Sequence, residues 1–527
     1  MSASATAKLP NDVDALKVMV QDLQQQVSRQ NSMMQVMQDE IALLQRLNFA
    51  KSSEKWSNEE TKQMRLFDEA ESIVDESPGE TEARTEQITY TRQKKGRKPI
   101  PEDIPREEVI YELEDDERCC PHCDALRPEM GFEESEELQY IPARTVVKRH
   151  RRKKYGPCSC PAFAADESAK SILTAPGPVR ILPGSIASSG LLAYILTSKF
   201  CDALPFYRQS RLLERNDIHI SRANMANWTL KVAAKCELLI DLMRKRSREG
   251  PLLNMDETTV QVLKESGRKA ETKSYMWVSV SSSRQGKIVL FHYSRTRSAD
   301  VPLSLLAGFS GVLQSDGYVG YNKAVARFGL THIGCLAHIR RKFHEAAKIT
   351  KSGGPANKPL KLIGKIYKVE KDLIALSKKE DISPNLYAHL RRKNSAPYWK
   401  ALHKWLKEMR HQTPPKTALG KAVGYAWNEF PKVVRYLVHP EATPDNNIAE
   451  RAIRPFVVGR KNWLFSDSPR GAHASAVMYS LIETAQANGL NPQEYLYRVF
   501  EELPTISEGD SDALERLLPW NIGDVGK

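Results

Sequence analysis

No stretch of this 527-residue sequence is apolar for long enough to form a membrane helix, which needs about 20 such residues. The sequence also lacks a basic segment followed by an apolar one at its start, as a secretory signal would require. These absences predict a soluble cytoplasmic protein with no membrane partner. Cysteine is also scarce, because eight residues are too few for a disulfide scaffold, which indicates a reducing compartment.

Enough apolar residues remain for a folded core. Hydrophobic residues make up 41% of the sequence and charged residues 27%, so collagen-like and wholly disordered chains are excluded. Because a domain usually contains about 100–200 residues, a chain of this length should form several domains. We therefore expect a multidomain α+β protein.

The net charge of +13 is distributed unevenly. Residues 59–86 contain ten acids and three bases, and residues 102–118 contain nine acids and two bases, so each stretch carries −7 and the remainder carries +27. A basic surface attracts polyanions, because each phosphate that Lys or Arg neutralises releases counterions. The remainder predicts nucleic acid as a partner, although a surface that only increases solubility has the same composition.

Residues 11–56 have the periodicity of a coiled coil. Apolar side chains recur at alternating spacings of three and four, and one polar residue among them, Gln30, would specify the register. The seam consists of Val13, Leu16, Val20, Leu23, Val27, Gln30, Met34, Met37, Ile41 and Leu44. Such a helix is expected to pair with a second copy in a homo-oligomer. Packing against its own chain is the alternative.

Residues 57–101 have the composition of a linker. They are acidic and rich in Ser and Thr, and few of them are large and apolar. The segment ends in a short basic peptide whose Lys95, Arg97 and Lys98 are candidates for contact with the minor groove of DNA. A basic linker without that role would have the same sequence character.

Residues 102–178 contain most of the cysteines and predict a small zinc-binding module. The expected ligands are a CxxC pair and a later CxC pair, Cys120, Cys123, Cys158 and Cys160, which suit a structural Zn²⁺ ion. Cys119 and His122 are further donors that leave one ligand undecided. The segment between the pairs is basic and indicates contact with nucleic acid through Lys148, Arg149, Arg151, Arg152 and Lys153.

Residues 179–248 have helical periodicity. The turn at 216–220 separates two predicted helices, and Ser221 is a candidate N-cap of the second. This order is typical of a helix-turn-helix, in which Arg222 and Asn224 would face base edges. An ordinary helical hairpin fits the pattern equally well.

Residues 249–350 alternate between strand and helix signals. Three apolar runs, at 252–260, 275–280 and 288–293, predict a meander of antiparallel strands. A helix-sized stretch then precedes two further strand-like runs, at 311–315 and 330–336. Three antiparallel strands, a helix and then parallel strands are the order of a ribonuclease-H-like α/β core.

Acids lie on two strands that should be neighbours in this sheet, Asp256 on the first and Asp316 after the fourth. Adjacent carboxylates repel each other unless a divalent cation lies between them, so the pair predicts a metal site. The best third acid is Glu450, on a short helix that Asp445 or Asn446 would cap and Pro455 would end. Arg454, on the same face, suits a neighbouring phosphate. Separately, each acid could be an ordinary turn or surface residue.

Taken together, these motifs resemble the bacterial insertion-sequence transposases of the IS66-type family, over nearly the whole chain and in order. The residues that carry the resemblance are the coiled coil, 96–99, the Cys pairs, 255–258, 315–318, Cys335-x-x-His338-x-Arg340-Arg341, 446–455 and Gly459-Arg460-Lys461 with 462–465. The doubled Cys119-Cys120 is a small departure from the pattern.

The resemblance implies a DDE-type DNA transposase whose catalytic triad is Asp256, Asp316 and Glu450. It implies two Mg²⁺ ions, or Mn²⁺, and a ribonuclease-H-like core formed by 249–350 and 437–500, interrupted by a helical insertion at 351–436 and followed by a tail at 501–527. DNA would contact His338, Arg340, Arg341, Arg454, Arg460 and Lys461. Accessory transposition proteins and association with the bacterial nucleoid are further expectations.

Two other functions fit the same residues. One is a zinc-dependent DNA-binding regulator in which the ribonuclease-H-like core is only a scaffold. The other is a nuclease that hydrolyses DNA without joining strands, because one metal site serves both water and a 3′-OH. Cleavage and strand-transfer assays separate these alternatives.

Overall fold

The computed structural model describes residues 12–14, 16–24, 26–27, 30, 34, 146–155, 173–282, 286–349, 354–507 and 509–522. These residues belong to two compact units. The smaller unit contains the described residues from 146 to 178, and the larger one contains all the others. In the described part of the chain, no helix is long and apolar enough to cross a bilayer.

The smaller unit contains two short antiparallel strands. β1 (Lys154–Tyr155) pairs with β2 (Leu173–Thr174). The Arg152 side chain donates a hydrogen bond to the carbonyl oxygen of Ala175 at 2.6 Å. The basic residues from 148 to 153 precede β1 and are exposed.

The described residues between 13 and 34 are helical. Their apolar side chains are exposed in the single chain, with Val20 and Leu23 each 51% and Val27 53% accessible. The predicted coiled coil therefore begins as a helix with an uncovered apolar stripe. Its pairing remains a prediction.

Among the described residues from 179 onward, three helices precede the sheet. They are α1 (Ser189–Phe200), α2 (Phe206–Glu214) and α3 (Arg222–Ser247). Ser221 caps α3 as expected, because its side chain accepts a hydrogen bond from the Asn224 backbone N–H at 3.1 Å. The turn and second helix predicted from the sequence are both present.

A five-stranded mixed sheet follows, in the order β5-β4-β3-β6-β7. Its strands are β3 (Leu252–Gln261), β4 (Lys273–Ser282), β5 (Lys287–Ser294), β6 (Val312–Gln314) and β7 (Thr331–Ile333). β3, β4 and β5 form an antiparallel meander, and β6 and β7 pair in parallel beside β3. Two short helices, α4 (Asp300–Leu305) and α5 (Tyr321–Phe328), connect the strands. The predicted strand order is confirmed.

Alternate residues of β4 face opposite sides of the sheet. Met276 and Val278 pack into the large core with α1 and α3, whereas Trp277 lies with Leu306 and Tyr321 on the other side. Both faces of the sheet are therefore covered, and its central strands are apolar along most of their length.

The helices after β7 form a core of their own. They are α6 (Leu336–Ile349), α7 (Asn357–Lys379), α8 (Pro384–Gln412) and α9 (Ala418–Val433), followed by a 3₁₀ turn at Val434–Val438. Leu252 of β3 and Val312 of β6 belong to the same apolar cluster as these helices. This cluster fixes α6 and α9 against the β6–β7 side of the sheet.

The chain then returns to the sheet through α10 (Asn447–Trp463), α11 (Pro469–Ala487), α12 (Pro492–Glu502), a 3₁₀ turn at Leu503–Thr505 and α13 (Ser511–Arg516). The expectation that Pro455 ends the first of these helices is wrong, because Pro455 lies inside α10. An internal proline costs about 3 kcal/mol through its lost hydrogen bond and steric clash. Burial of Phe456 and Val457 in the large core offsets this cost.

Side chains of α11 satisfy the outer edge of β5. Thr484 Oγ1 accepts from the Val289 N–H at 3.0 Å and donates to the Val289 carbonyl at 2.9 Å. Ser480 Oγ accepts from the Phe291 N–H at 2.8 Å. Asn488 donates to the Lys287 carbonyl at 2.7 Å and accepts from its N–H at 3.0 Å. A helix thus pairs with an edge strand through side chains spaced four residues apart.

Candidate active site

The register of the two central strands places Asp256 and Asp316 side by side. Asn254 of β3 is paired with Gln314 of β6, and the strands run parallel. Asp256 lies two residues after Asn254 on β3. Asp316 lies two residues after Gln314, just beyond the end of β6. Because side chains alternate along a strand, both acids lie on the same side as Asn254 and Gln314. The parallel pairing of β3 and β6 agrees with the positions expected for the two acids, and their role in binding a metal stays a prediction.

A buried amide network fixes the start of α10 against these strands. The Asn254 amide donates to Gln314 at 3.2 Å and to Asn446 at 3.0 Å. The Asn446 amide in turn donates to the Met255 carbonyl at 2.8 Å. The Asn446 side chain is therefore not the helix cap, and Asp445 accepts from the Asn447 N–H at 3.1 Å instead. Through these bonds α10 brings Glu450 toward the acids of the sheet.

Glu450 is 3% exposed and has close neighbours from α6. Arg341 Nη2 lies 3.8 Å from its Oε2 atom, and His338 Nδ1 lies 3.6 Å from its Oε1 atom. The Cys335 Sγ atom lies 4.0 Å from the same Oε1. Arg341 partly neutralises the carboxylate, whereas the thiol and the imidazole add no charge of their own when both are uncharged.

The three acids influence one another electrostatically. Burial raises the pKa of Asp256 well above its usual value, and the charges of Glu257, Glu450 and Asp316 raise it further. Burial also raises the pKa of Glu450 to about 7, against the opposing charge of Arg341, and Asp316 adds to the shift. The pKa of Asp316 is raised by burial as well. Burial is the largest cause of all three shifts, and neighbouring carboxylates add to those of Asp256 and Glu450.

Two side chains near Asp316, those of Arg297 and Tyr321, are not among the residues predicted from the sequence. Arg297 donates to Glu257 at 2.7 Å, and its Nη2 atom lies 3.9 Å from Asp316 Oδ2. Tyr321 donates to the other Glu257 oxygen at 2.8 Å. Burial, with the Asp316 charge, raises the pKa of Glu257 to about 7. Asp256-Glu257 is an acidic pair in the sequence, which is the signal that would have drawn attention to Glu257.

The other residues predicted to contact DNA differ in their surroundings. Arg341 reaches Glu450, while burial lowers the pKa of Arg340 and lowers that of His338 to about 3, so His338 is neutral. Arg460 donates to the Thr259 side chain at 3.2 Å and also to its carbonyl, so its guanidinium packs against β3. Arg454 contributes to the charge around Glu450. The DNA contacts of these residues and of Lys461 remain predictions.

The remaining predicted sites lie away from the acids or outside the described residues. Arg222 and Asn224 are exposed in the first turn of α3. Lys148, Arg149, Arg151, Arg152 and Lys153 are exposed in the smaller unit. Lys95, Arg97, Lys98, Cys120, Cys123, Cys158 and Cys160 lie outside the described residues.

The donor chemistry of the three acids fits a hard divalent cation. Carboxylate oxygens are the ligands that Mg²⁺ and Mn²⁺ prefer. A cation bound there would offset the repulsion that Glu450 and Asp316 exert on Asp256. Among the described residues, the one group of three ligand side chains with all donor atoms within 4.8 Å is instead Cys335, His338 and Glu450. The three acids are thus spread more widely than the ligands of one compact site.

Fold and site together define an α+β protein with a buried acidic centre flanked by arginines. Comparison with protein-family models makes the assignment specific. The model described as "Transposase IS66 family" matches residues 184–474, so the chain belongs to the IS66 transposase family. Further matches are "IS66 C-terminal element" at 480–520 and "zinc-finger binding domain of transposase IS66" at 117–161. "Transposase C of IS166 homeodomain" matches 37–109, which overlaps the segment interpreted as a linker from its composition.

Two relatives from Sinorhizobium fredii (strain NBRC 101917 / NGR234) match nearly the whole chain. "Uncharacterized protein y4jD" is 30% identical over 98% of this chain and 97% of its own length. "Uncharacterized protein y4qI" is 28% identical, with 98% of each chain covered. The family matches support DNA as a partner and Zn²⁺ as a constituent of the 117–161 region.

Proposed function

We propose that the chain is a DDE-type DNA transposase that binds the terminal inverted repeats of its element, cleaves DNA there and joins the freed 3′-OH to target DNA. Asp256, Asp316 and Glu450 are the proposed catalytic carboxylates. What supports the proposal is that Asp256 on β3, Asp316 directly after β6 and Glu450 on α10 lie near enough for the charges of Asp316 and Glu450 to raise the pKa of Asp256.

The sheet supports a ribonuclease-H-like catalytic core. An antiparallel meander, followed by two parallel strands on the far side of its first strand, is the order expected of that core. In the proposed arrangement α7, α8 and α9 form the helical insertion between Asp316 and Glu450. The insertion then determines where Glu450 returns to the sheet.

The chain contributes ligands and positioning to the proposed reaction. When bound, two Mg²⁺ or Mn²⁺ ions would supply the charge that stabilises the attacking and leaving oxygens of phosphoryl transfer. Asp256, Asp316 and Glu450, which are spread more widely than one compact ligand group, would hold these ions. The hydrogen bond from the Asn254 side-chain amide to the Asn446 side-chain oxygen holds α10 so that Glu450 faces the sheet.

Arginine side chains balance the charge of the acids and offer contacts for phosphate. Arg297 bridges Glu257 and Asp316, and Arg341 lies beside Glu450. A guanidinium forms paired hydrogen bonds with phosphate oxygens. We propose that both arginines exchange part of their carboxylate contact for DNA phosphate when the nucleic acid binds.

DNA binding is proposed to be shared among several basic segments. The exposed residues 148–153 lie within the zinc-finger match, in which Cys120, Cys123, Cys158 and Cys160 are the proposed ligands of a structural Zn²⁺ ion. Arg222 and Asn224 are exposed at the N-terminus of α3 and would contact base edges. Contacts with the DNA phosphates would then give affinity, and contacts with the base edges would give specificity.

The test is metal-dependent cleavage of a labelled transposon end by conservative variants. Asp256→Asn, Asp316→Asn and Glu450→Gln should each lower the cleavage rate by about 1,000-fold, equal to about 4 kcal/mol, because each removes a charged metal ligand. All three should still retard terminal-repeat DNA in a gel. Asp300→Asn, an exposed acid paired with Lys323, is the matched control and should cleave normally.

The outcome also separates the alternative functions. Cleavage by Asp256→Asn at the parental rate would overturn the site assignment. Retardation of DNA without cleavage by the parental chain would favour a DNA-binding regulator. Cleavage without joined products in a strand-transfer assay would favour a hydrolytic nuclease.

A further inference from the structure

A second group of ligand-type side chains lies beside the proposed catalytic acids. Cys335 directly precedes α6, His338 lies in the first turn of α6, and Glu450 lies in the first turn of α10. The donor atoms of the three residues all lie within 4.8 Å of one another. The N-termini of two helices that are distant in sequence therefore place a thiol, an imidazole and a carboxylate close together.

The distances are close to those of a tetrahedral zinc site. Glu450 Oε1 lies 4.0 Å from Cys335 Sγ and 3.6 Å from His338 Nδ1. Around Zn²⁺, with bonds of about 2.3 Å to sulfur and about 2.0 Å to nitrogen and oxygen, the corresponding separations are about 3.5 and 3.3 Å. A contraction of about 0.5 Å for the first pair and about 0.3 Å for the second would bring these two pairs to the separations of a zinc site.

The polar atoms around the group independently indicate a missing ligand. His338 Nδ1 is buried and has no hydrogen-bond partner, although it faces the carboxylate. Because buried polar atoms nearly always have a partner, we expect this nitrogen to bind one. The Asn446 backbone N–H donates to Cys335 Sγ at 3.3 Å, a contact that stabilises a metal-bound thiolate. The His338 side chain remains 21% exposed, which leaves a path for an ion.

We propose that Cys335, His338 and Glu450 bind a thiophilic divalent cation such as Zn²⁺. Three protein ligands leave a fourth position for water. Thiolate and imidazole select Zn²⁺ over Mg²⁺, so the site differs in ion preference from the Asp256–Asp316 pair. If the proposed catalytic role holds, Glu450 is shared by both sites, and a bound Zn²⁺ ion would withdraw it from the catalytic ions.

Cobalt is the probe, because Co²⁺ bound to a thiolate absorbs light and Zn²⁺ does not. Co²⁺ is titrated into the full chain after the zinc already bound per chain has been measured. The parental chain should bind one more Co²⁺ ion than Cys335→Ser, with a thiolate-to-cobalt charge-transfer band that Cys335→Ser lacks. His338→Gln should bind this ion about tenfold more weakly or worse.

The controls separate metal binding from folding and from catalysis. Cys201→Ser removes a partly buried free thiol elsewhere in the larger unit and should keep the extra ion. Thermal unfolding shows whether each variant is folded, and Cys335→Ala provides a second thiol deletion. Equal Co²⁺ binding by folded parental and Cys335 variants would overturn the proposal.

The assay requires no DNA, so its result is independent of the transposase reaction. Asp256→Asn should retain the cobalt band while losing cleavage, which distinguishes this site from the proposed magnesium site. In the cleavage assay, added Zn²⁺ should inhibit the parental chain in competition with Mg²⁺. The same Zn²⁺ concentration should inhibit His338→Gln about tenfold less. Equal inhibition of both would show that zinc acts elsewhere.

Discussion

Ionisation of Glu450 should make the stability of the folded chain depend on pH. Its pKa is about 7 in the folded chain and about 4.3 in an unfolded one. A raised carboxylate pKa favours the folded state fully below pH 4.3 and loses that contribution as pH rises through about 7. The melting temperature of the metal-free chain should therefore fall between pH 5 and 8, and fall less in Glu450→Gln.

Magnesium should reverse this trend, because it binds the deprotonated carboxylate. We expect Mg²⁺ to raise the parental melting temperature more at pH 8 than at pH 6. Glu483, whose pKa burial raises to about 8, is a control on α11. Glu483→Gln should weaken the pH dependence of melting but leave the magnesium effect intact. A magnesium effect that is equal at both pH values would contradict the assignment.

The sequence predicted the acids better than it predicted their neighbours. Asp256 and Asp316 could be found because strand order and parity determine which residues lie side by side. Arg297 could not be found in this way, because it lies in the connection between β5 and α4, whose path depends on packing. Asn254 carried a signal, since it is polar in the apolar run around Leu253 and Met255, and such a residue needs a buried partner.

Two glycines of helix α9 allow a test of how closely this helix packs against the chain before it. A Cβ atom on Gly420 would lie 1.9 Å from the Pro414 carbonyl oxygen, which is backbone and cannot move aside easily. Gly420→Ala should therefore lower the free energy of unfolding by about 1–3 kcal/mol. Gly424 lies one turn later and has no atom within 4 Å of the same position. Gly424→Ala should raise the free energy of unfolding by about 0.5–1 kcal/mol.

Urea denaturation of the two variants measures both changes. The site should respond as well, because Tyr425 and Glu429 of α9 approach Gly317, which follows Asp316. We expect Gly420→Ala to weaken the magnesium-dependent stabilisation and Gly424→Ala to preserve it. Equal stability of the two variants would contradict the close approach to Pro414.

Elements with strong periodicity were predictable, and their ends were less so. The β3–β5 meander follows directly from its apolar runs. α10 extends beyond Pro455 because its later residues bury an apolar face in the core, and local proline chemistry does not reveal that. β6 and β7 have only three residues each, and their pairing depends on the neighbouring strand β3.

At the scale of the whole molecule, charge should control DNA affinity. The logarithm of affinity falls with the logarithm of salt concentration by about 0.9 per neutralised phosphate. Replacing Arg149 and Arg151 together by Gln should reduce this slope by up to about 1.8. Lys378 and Lys379, exposed at the end of α7, form the control pair and should change it little when replaced by Gln. Binding titrations at several salt concentrations measure the slopes.

The N-terminal helix makes a prediction about assembly. Leu23 lies in the predicted seam and is 51% exposed in the single chain, so a partner helix should cover it. Leu23→Asp should lower the oligomeric mass measured by sedimentation velocity. Gln24→Asp, outside the seam, should not. An unchanged mass in Leu23→Asp would favour packing of the helix on its own chain.

The hydrogen bonds from α11 to β5 also determine what happens to a shortened chain. The edge groups of Val289 and Phe291 are satisfied by residues 480 and 484, which begin the C-terminal element. A product terminated just before Ser480 would keep every proposed catalytic acid and expose an unpaired apolar strand. Such a strand recruits others by β-augmentation, so truncated copies should precipitate, and could draw intact chains into the aggregate.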